Sequence, residues 1–426
     1  MTTAVARLAA LPARRRGGER AGIASVCSAH PLVIEAALVH ARDRGADLLV
    51  EATCNQVNHE GGYTGMTPLA FREFVQRIAG RVGFPTERLA LGGDHLGPNP
   101  WRHLPAAEAM EKARAMVAAY AEAGFAKIHL DASMGCAGEP AAPPEGVIAA
   151  RAAELAEVAE AAAAPVYVIG TEVPVPGGAT EALDHLAVTR AADVARVADL
   201  HAAAFAARGL DRAFGRAIAV VVQPGVEFAD AEVAVYRPEA ARELVGALSG
   251  LPLVFEAHST DYQPAEALRA LVDDGFAILK VGPWLTFALR EAYYGLAAIA
   301  DWIAPDPSRE PLPALMERVM LAAPGNWAKY YQGTEAELRV KRHFSFSDRI
   351  RYYWTQPSAE EAVARLDEAL EGREIPLPLI GQFLGALEAE VAAGRVEPTA
   401  PALLRASVTR VLDIYAAATD PDERAA

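Results

Sequence analysis

The sequence predicts an α/β fold, a TIM (β/α)8 barrel over residues 21–305, followed by a C-terminal helical extension over residues 306–426. Three observations favour this fold. Eight short β-type runs alternate with Ala-, Leu-, Glu- and Arg-rich helical stretches, polar residues stand at the carboxyl end of almost every run, and no GxGxxG turn follows the first run. A doubly wound sheet accounts for the eight runs but not for the other two observations.

The predicted elements follow one another in the order that such a barrel requires. Residues 1–20 are basic and Ala-rich and are interrupted by Arg7 and Pro12, so they predict a flexible basic tail or a short helix rather than an export signal. The eight predicted strands are GIASVC (22–27), DLLVEATC (47–54), LALGG (89–93), AKIHLD (126–131), VYVIGTE (166–172), AIAVVVQ (217–223), LVFEAH (253–258) and AILKVG (277–282). Beyond residue 305 the β-type runs stop and five helices are predicted, at 313–323, 334–342, 358–371, 378–395 and 401–418. We expect this extension to pack on the barrel, with HFSFSDRIRYYW (343–354) near its mouth.

The composition excludes several classes of protein. With 52% hydrophobic and 22% charged residues and no apolar run near the ~20 residues of a bilayer span, the chain predicts neither a membrane protein nor a disordered or fibrous one. The net charge of −15 disfavours binding to nucleic acid or to an anionic membrane surface. The three cysteines, Cys27, Cys54 and Cys136, form no CxxC pair, which argues against disulfides and a cysteine zinc site and favours the cytoplasm.

Alternation along the strands predicts which polar side chains face the barrel interior. In KIHLD, Lys127, His129 and Asp131 share one face, and in LVFEAH, Glu256 and His258 share one face. Glu51 and Asn55 share a face of the second predicted strand in the same way. Because polar groups are costly against the helix layer, we expect these side chains inside the barrel, near the mouth where barrel enzymes have their active sites.

The strongest candidate site is a set of acidic and imidazole side chains at strand ends. Its members are Asp94, His95, Asp131, Glu172, Glu256 and His258. Imidazoles and carboxylates that converge from different strands suit a divalent metal ion with one position open to substrate. The alternative is a set of hydrogen-bonded packing residues, which is the commoner role of a single polar residue at a strand end.

Longer motifs around these residues resemble one known family. They are VCSAHPLVIEAALVHA, EATCNQVNHEGGYTGMTP, GGDHLGPNPW, KIHLDASMGC, GTEVPVPGG, FEAHSTDYQ and LKVGPWLTFALREA. Together they closely resemble the tagatose-bisphosphate aldolase Z-subunit family (GatZ/KbaZ-like), a barrel relative of the class II metal-dependent aldolases. The resemblance covers nearly the whole chain. It implies either a partner subunit for a separate catalytic aldolase or a metal-dependent ketohexose 4-epimerase.

The resemblance also implies roles for individual residues. His95 and His258 match metal ligands, and Glu172 stands close to the metal. Gln223 stands where a third histidine is expected, so zinc, manganese, cobalt and nickel all remain open. Asp94 is expected to move a proton rather than to bind the metal directly, because only a local bend lets both Asp94 and His95 reach the cavity. Two further residues are assigned to catalysis, Asp131 and Glu256.

The expected substrate is a ketohexose or a ketohexose phosphate. HSTDYQ and VGPWLT offer little glycine for a backbone phosphate cradle, which favours a free sugar over a bisphosphate. The predicted binding residues are Asn55, Gln56, Gln223, Asp261, Lys280, Ser347 and Arg351. The polar members are alternatively caps or turn residues. Lys280 could instead form a Schiff base with a ketose, although an ion pair with Glu51 or Glu256 is the commoner arrangement.

Two segments remain open between a functional and a structural role. GGYTGMTP (61–68) is typical either of a lid or of a glycine-rich turn that leads into a helix capped by Thr67. SFSDRIR (345–351) brings Arg349 or Arg351 to an anionic substrate end, or forms a Ser-capped helix with solvated arginines, which is slightly favoured.

The leading functional prediction is a metal-dependent enzyme of carbohydrate metabolism that cleaves and re-forms the C3–C4 bond of a ketohexose. If the aldehyde turns before it rejoins, fructose and tagatose interconvert, and if it leaves, the protein is an aldolase. The alternative is a non-catalytic subunit that stabilises a tagatose-1,6-bisphosphate aldolase. We expect a homo-oligomer, and a class II aldolase catalytic subunit as the partner under the alternative.

Overall fold

A computed structural model describes residues 3–171 and 186–420 and contains a closed barrel of parallel strands. The barrel order is β1-β2-β3-β4-β5-β6-β9-β10, and β1 closes it because Ser25 pairs with Leu49 of β2 and with Lys280 of β10. The strands are β1 (Ile23–Val26), β2 (Leu48–Thr53), β3 (Leu89–Leu96), β4 (Lys127–Leu130), β5 (Val166–Ile169), β6 (Ala217–Val221), β9 (Val254–Ala257) and β10 (Phe276–Val281). A two-stranded antiparallel ribbon, β7 (Glu227–Phe228) and β8 (Val233–Ala234), follows β6. The predicted TIM barrel is confirmed, and each predicted strand coincides with one of its eight strands.

Helices cover the outside of the barrel and form the extension. They are α1 (Ala4–Ala9), α2 (Leu11–Arg16), α3 (Pro31–Asp43), α4 (Pro68–Val82), α5 (Ala106–Glu122), α6 (Glu145–Ala162), α7 (Ala191–Ala206), α8 (Asp211–Phe214), α9 (Pro238–Gly246), α10 (Ala265–Asp273), α11 (Pro283–Ile303), α12 (Leu312–Ala322), α13 (Glu335–Phe344), α14 (Pro357–Leu370), α15 (Leu377–Phe383), α16 (Glu388–Ala392) and α17 (Ala400–Thr419). Local sequence signals set several ends. Thr67 caps α4 by accepting a hydrogen bond from the Ala70 N–H, and Thr334 and Glu337 form a capping box on α13.

Residues 3–20 show the helical alternative predicted for this segment rather than the flexible tail. They contain the helices α1 and α2, whose apolar residues Leu8 and Leu11 are buried in one cluster with Leu49 and Ile218 of the strands. Arg7 also forms an ion pair with Asp47. Apolar interior side chains at the amino end of a barrel would otherwise face water, so their burial provides the free energy that orders this segment.

The extension packs on the barrel through its last helix, since α17 contacts α3, α10 and α11. The helix predicted over 378–395 is interrupted between α15 and α16 by a 3-10 turn, Gly385–Leu387. Leu384 has non-helical backbone angles, and its side chain packs against Gly295 of α11, where a side chain on residue 295 would leave no space. This contact accounts for the interruption. The aromatic-rich segment 343–354 reaches the barrel mouth as predicted, with Arg351 and Tyr352 on the cavity wall.

No helix within residues 3–171 and 186–420 combines the length and the apolar character needed to cross a bilayer.

Candidate active site and metal centre

The end of β3 carries a bend that turns two consecutive side chains into one cavity. The pairing register between β3 and β4 shifts between Gly93 and Leu96, and His95 has a φ of 52°. A positive φ is uncommon for a residue with a side chain and indicates a backbone held by its surroundings. Asp94 and His95 therefore both line the cavity at the barrel mouth, which confirms the predicted local bend.

Three imidazole rings meet beside this bend. The ring centres of His95 and His258 are 4.8 Å apart, and His129 of β4 lies 5.1 Å from each of them. Imidazole nitrogens bind zinc at about 2.0–2.1 Å, which places the ring centre about 3 Å from the ion and the centres of two rings on a tetrahedral ion about 5 Å apart. The observed triangle has this size. The spacing of the rings therefore fits a divalent ion, and Nε2 of His129 is buried without a hydrogen-bond partner within the described chain, as a ligand nitrogen would be.

Carboxylates surround the three rings and hold them in place. Asp131 Oδ2 accepts a hydrogen bond from His95 Nδ1 over 2.8 Å, and Glu256 Oε1 lies 2.9 Å from His258 Nε2. Asp94 Oδ1 lies 2.9 Å from His129 Nδ1. One atom from each of Asp94, His129, Glu256 and His258 lies within 4.8 Å of the others, so this group could also hold a metal ion.

Asp131 stands behind His95 rather than on the cavity wall. Its Oδ1 accepts hydrogen bonds from the Ser133 N–H and hydroxyl, at 3.0 and 2.6 Å, while its Oδ2 binds His95. A carboxylate in this position fixes the orientation of a metal-binding imidazole. Asp131 thus contacts His95 and Ser133 and is not on the cavity wall, where its predicted catalytic role would place it.

A buried ionic network lies below the imidazoles. Lys127 Nζ lies 2.5 Å from Glu51 and 2.8 Å from Glu256, and Lys280 contacts Glu51, Asp94 at 2.7 Å and Glu256 at 3.6 Å. Two ammonium groups thus face three carboxylates inside the barrel. The ion-paired alternative for Lys280 is the arrangement observed.

This network sets the protonation states of the site. Burial by itself would raise the pKa of Asp94, but the charges of His95 and Lys280 outweigh it and hold that pKa well below its usual value. Burial likewise opposes ionisation of Glu256, yet Lys127 and Lys280 hold its pKa well below the usual value. Burial lowers the pKa of His258 to about 3, so this imidazole is neutral, which is the form that binds a metal.

The cavity above the network has a volume of about 80 Å³ and contains most of the predicted binding residues. Those on its wall are Asn55, Gln56, Asp261, Lys280 and Arg351. Gln223 is not on that wall, because its Oε1 accepts the N–H groups of Gly225 and Val226 in the turn after β6. Ser347 also lies off the wall, where its hydroxyl bonds to Tyr331 and Ser345. Glu172 lies outside the described residues.

The segment 61–68 is anchored to the barrel by backbone hydrogen bonds. The Tyr63 N–H donates to the Asn55 carbonyl, and the Thr64 hydroxyl donates to the Gln56 carbonyl. With Thr67 capping α4, this segment has the predicted capping turn. The Tyr63 ring also contacts the Tyr352 ring of the extension edge to face, with ring centres 4.8 Å apart, and both side chains line the cavity.

Two glycines of this segment provide a matched test of the anchoring. Gly62 and Gly65 have φ values of 56° and 74°, but a Cβ at Gly62 would collide with the Gln56 carbonyl, whereas a Cβ at Gly65 meets nothing within 4 Å. Gly65→Ala should lower the free energy of unfolding by about 1–2 kcal/mol, the cost of a left-handed alanine. Gly62→Ala should lower it by more. Denaturant unfolding of both variants measures the difference, and equal losses would contradict a rigid contact between Gly62 and Gln56.

The structure adds site residues that the sequence prediction did not assign. His129 completes the triangle of rings, Tyr63 and Tyr352 line the cavity, and Lys127 joins Glu51, the predicted partner of Lys280, in the ionic network. Strand alternation had already placed His129 on the inward face. Its distance from His95 depends on the register shift at the end of β3.

Fold and site together define a class of protein: a TIM barrel with a candidate divalent-metal centre at the carboxyl ends of its strands. The chain belongs to the family described as D-tagatose-1,6-bisphosphate aldolase subunit GatZ/KbaZ-like, whose model matches residues 8–420. The expected family membership is confirmed.

Individual relatives cover almost the whole chain. An Agrobacterium fabrum protein named D-tagatose 6-phosphate 4-epimerase is 55% identical over 416 residues, 96% of this chain and 97% of its own. A Salmonella newport protein named D-tagatose-1,6-bisphosphate aldolase subunit GatZ is 50% identical over 415 residues, 96% of this chain and 98% of its own. The crystal structure of a Sinorhizobium meliloti protein, described as a probable tagatose 6 phosphate kinase, is 55% identical and covers 93% of this chain and 100% of that one, with a TM-score of 0.88.

Proposed function

We propose that this protein is a divalent-metal-dependent ketohexose 4-epimerase that interconverts fructose and tagatose, free or phosphorylated, through reversible cleavage of the C3–C4 bond. The observation that carries the proposal is the position of Asp94, an ionised carboxylate on the cavity wall next to three imidazoles of the right spacing for one ion. The name of the Agrobacterium fabrum relative supports the same reaction.

The side chains of the site would perform the proton transfers of this reaction. Asp94 accepts the proton of the C4 hydroxyl as the C3–C4 bond breaks and C4 becomes an aldehyde, and it returns the proton when the bond re-forms. Lys280, at 2.7 Å, keeps Asp94 ionised between turnovers. A bound divalent ion supplies polarisation of the ketose carbonyl and stabilises the negative charge left on the C1–C3 fragment.

We propose His95, His129 and His258 as the metal ligands, with Glu256 positioning His258. This set replaces the predicted set of His95, His258 and Glu172. Burial by itself would lower the pKa of His95, but its acidic neighbours raise that pKa, so a metal ion would displace a proton from this ring on binding. Three imidazoles and an open position then suit zinc, and they also suit cobalt or nickel, while the adjacent carboxylates favour manganese.

The second candidate function is a non-catalytic subunit that stabilises a class II aldolase. It is favoured by the names of relatives such as the Salmonella newport protein. A stabilising subunit has no need of a complete metal centre, whereas the rings of His95, His129 and His258 are buried together at the spacing that one ion requires. We therefore place the enzymatic role first.

Assay of the purified chain without partners distinguishes the two functions. We expect 4-epimerisation of fructose, tagatose or their 6-phosphates that requires added manganese, nickel, cobalt or zinc and is abolished by a chelator. Product sugars and trioses are measured by chromatography. If no 4-epimer and no triose appear with any metal, while addition of a class II aldolase subunit gives a stable active complex, the subunit function is correct.

A further inference from the structure

A second cavity adjoins the active-site cavity. It has a volume of about 330 Å³ and lies between the start of α3 and the helix α14 of the extension. The two cavities share Cys27, Gln56, Tyr63 and Arg351 on their walls. Arg351 therefore stands at the junction, where its side chain lines both cavities.

Arg351 is held in place entirely by neutral groups. Its Nη1 donates to the carbonyls of Ser347 and Asp348, and its Nη2 donates to the Tyr352 hydroxyl over 2.8 Å. Within residues 3–171 and 186–420, no carboxylate lies within 4.0 Å of this guanidinium and its Nε has no hydrogen-bond acceptor. By contrast, Arg290 pairs with Asp348. The carboxylates of Asp348 and Asp261 interact with the charge of Arg351 from farther away, but neither carboxylate bonds to it, so its guanidinium keeps donor capacity for an anion.

The other places where an anion could bind near the cavity are already occupied. Lys280 is neutralised by three carboxylates. The amino end of α11, which follows the last strand and is a common phosphate position in barrels, is filled by Asp261, whose Oδ1 accepts the N–H groups of Gly282 at 2.9 Å and Trp284 at 2.8 Å. An anionic group on the substrate is thereby directed to Arg351.

The acidic residues of the second cavity limit how far that group can enter. Glu360 and Asp367 stand on the α14 side of this cavity and would repel an anion there. Arg351 is thus the place at which attraction is strongest, and the rest of the 330 Å³ is available to uncharged parts of the ligand.

We propose, on the basis of the proposed function, that Arg351 binds the terminal phosphate or carboxylate of the C4–C6 aldehyde and so keeps this fragment in the paired cavities until it rejoins. When C3–C4 breaks, its electron pair stays on C3 and the C4 hydroxyl proton moves to Asp94. The tethered aldehyde turns its other face to C3, the C3–C4 bond re-forms, and the proton returns to the C4 oxygen. No further reactant is needed. The active-site cavity of about 80 Å³ leaves little space for this turn, and the adjoining cavity provides it.

Product partition tests the tether. The metal-loaded protein and its Arg351→Met and Arg351→Lys variants are given fructose 6-phosphate, and 4-epimer and released triose phosphate are quantified. Loss of a charge-assisted contact typically weakens binding by about 10–100-fold, so we expect Arg351→Met to raise the ratio of triose to epimer and the KM by about tenfold or more. Arg351→Lys keeps the positive charge, so its product ratio and its KM should lie between those of Arg351→Met and the unsubstituted protein. An unchanged ratio and KM would overturn the tether.

Arg349→Met is the matched control. Arg349 lies two residues before Arg351 in the short 3-10 helix Arg349–Tyr353, but its guanidinium stacks on Tyr330 and donates to the Asn326 carbonyl, away from both cavities. Its substitution should leave the product ratio within about twofold of the unsubstituted protein. A change equal to that of Arg351→Met would show a general structural effect and overturn the assignment to Arg351.

The chemical nature of the anion is read from two further substrates, fructose and a ketohexuronate. The preference of each protein for fructose 6-phosphate over fructose, and for the ketohexuronate over fructose, is measured as a ratio of kcat/KM. If Arg351 binds the phosphate group, Arg351→Met should reduce the preference for fructose 6-phosphate far more than the preference for the ketohexuronate. The reverse pattern assigns a carboxylate. No loss of either preference overturns the proposal.

A binding measurement separates this inference from the proposed function. Inorganic phosphate is titrated calorimetrically into the unsubstituted, Arg351→Met and Arg349→Met proteins, whose folding is checked by thermal unfolding. We expect binding that only Arg351→Met abolishes. If this pattern appears but no sugar is epimerised, the anion site stands and the proposed function fails. If phosphate does not bind, or binds equally to Arg351→Met, the anion site itself is wrong.

Discussion

Replacing His129 with alanine should remove most of the divalent metal from the purified protein. The ring of His129 lies 5.1 Å from those of His95 and His258, and its buried Nε2 has no partner in the described part of the chain. Loss of one ligand from a three-imidazole set leaves too few strong donors, so affinity should fall by well over the ~10–100-fold that outer contacts typically contribute. His95→Ala and His258→Ala should behave in the same way. Metal content is measured by elemental analysis after dialysis against a weak chelator.

His201→Ala is the control for the loss of a buried histidine. His201 lies on α7, where its Nδ1 is 2.9 Å from the Val197 carbonyl. It is not one of the residues that line the cavity, and it is distant in sequence from the candidate ligands. We expect this variant to keep the full metal content even if its stability falls. Full metal content in His129→Ala would instead show that His129 is not a ligand and that a carboxylate is the third ligand. Full content in all three ligand variants would show that the metal centre lies elsewhere.

Asp94→Asn should lose turnover even when the metal is supplied in excess. The excess is needed because Asp94 also contacts the His129 ring. The asparagine keeps the shape of the side chain but cannot accept the C4 hydroxyl proton, and general acid–base groups contribute about 10²–10⁴-fold to rate. We therefore expect kcat to fall by about that factor while three imidazoles still hold the ion. Turnover and metal content are measured on the same preparation.

Asp131→Asn is the contrasting variant. Because Asp131 holds Nδ1 of His95, its substitution should weaken metal affinity by about 10–100-fold and allow activity to recover at high metal concentration. Asp94→Asn should not recover in this way. Recovery of Asp94→Asn activity at high metal concentration would assign Asp94 to holding the metal, directly or through His129, and would contradict its role in proton transfer.

Much of the fold could be predicted because its signals are local. Each barrel strand is a short apolar run bounded by turn or helix signals, so eight strands could be recognised one at a time. Alternation placed Lys127 and Glu256 on interior faces, and both are fully buried in the ionic network. The bend at Asp94 and His95 followed from the same alternation, because two consecutive polar residues cannot both face inward along a regular strand.

Other features could not be predicted because they depend on groups distant in the sequence. SFSDRIR was predicted with slight preference as a Ser-capped helix with solvated arginines. The turn instead starts at Asp348 without a side-chain cap, and Arg349 is buried against Tyr330. Arg351 is held by carbonyls of its own turn but gains its position at the cavity junction only because the extension folds over the barrel mouth.

By itself, the sequence determined the barrel, the strand ends and the polar residues that face its interior, since strand periodicity and polarity are properties of neighbouring residues. The tertiary structure alone decided that His129 completes the ring triangle, that α1 and α2 cover the amino end of the barrel, and that Gln223 caps a turn. Each of these depends on which strands become neighbours when the barrel closes and on how their registers shift. Closure brings together side chains tens to hundreds of residues apart, and their distances are set by packing that no local pattern encodes.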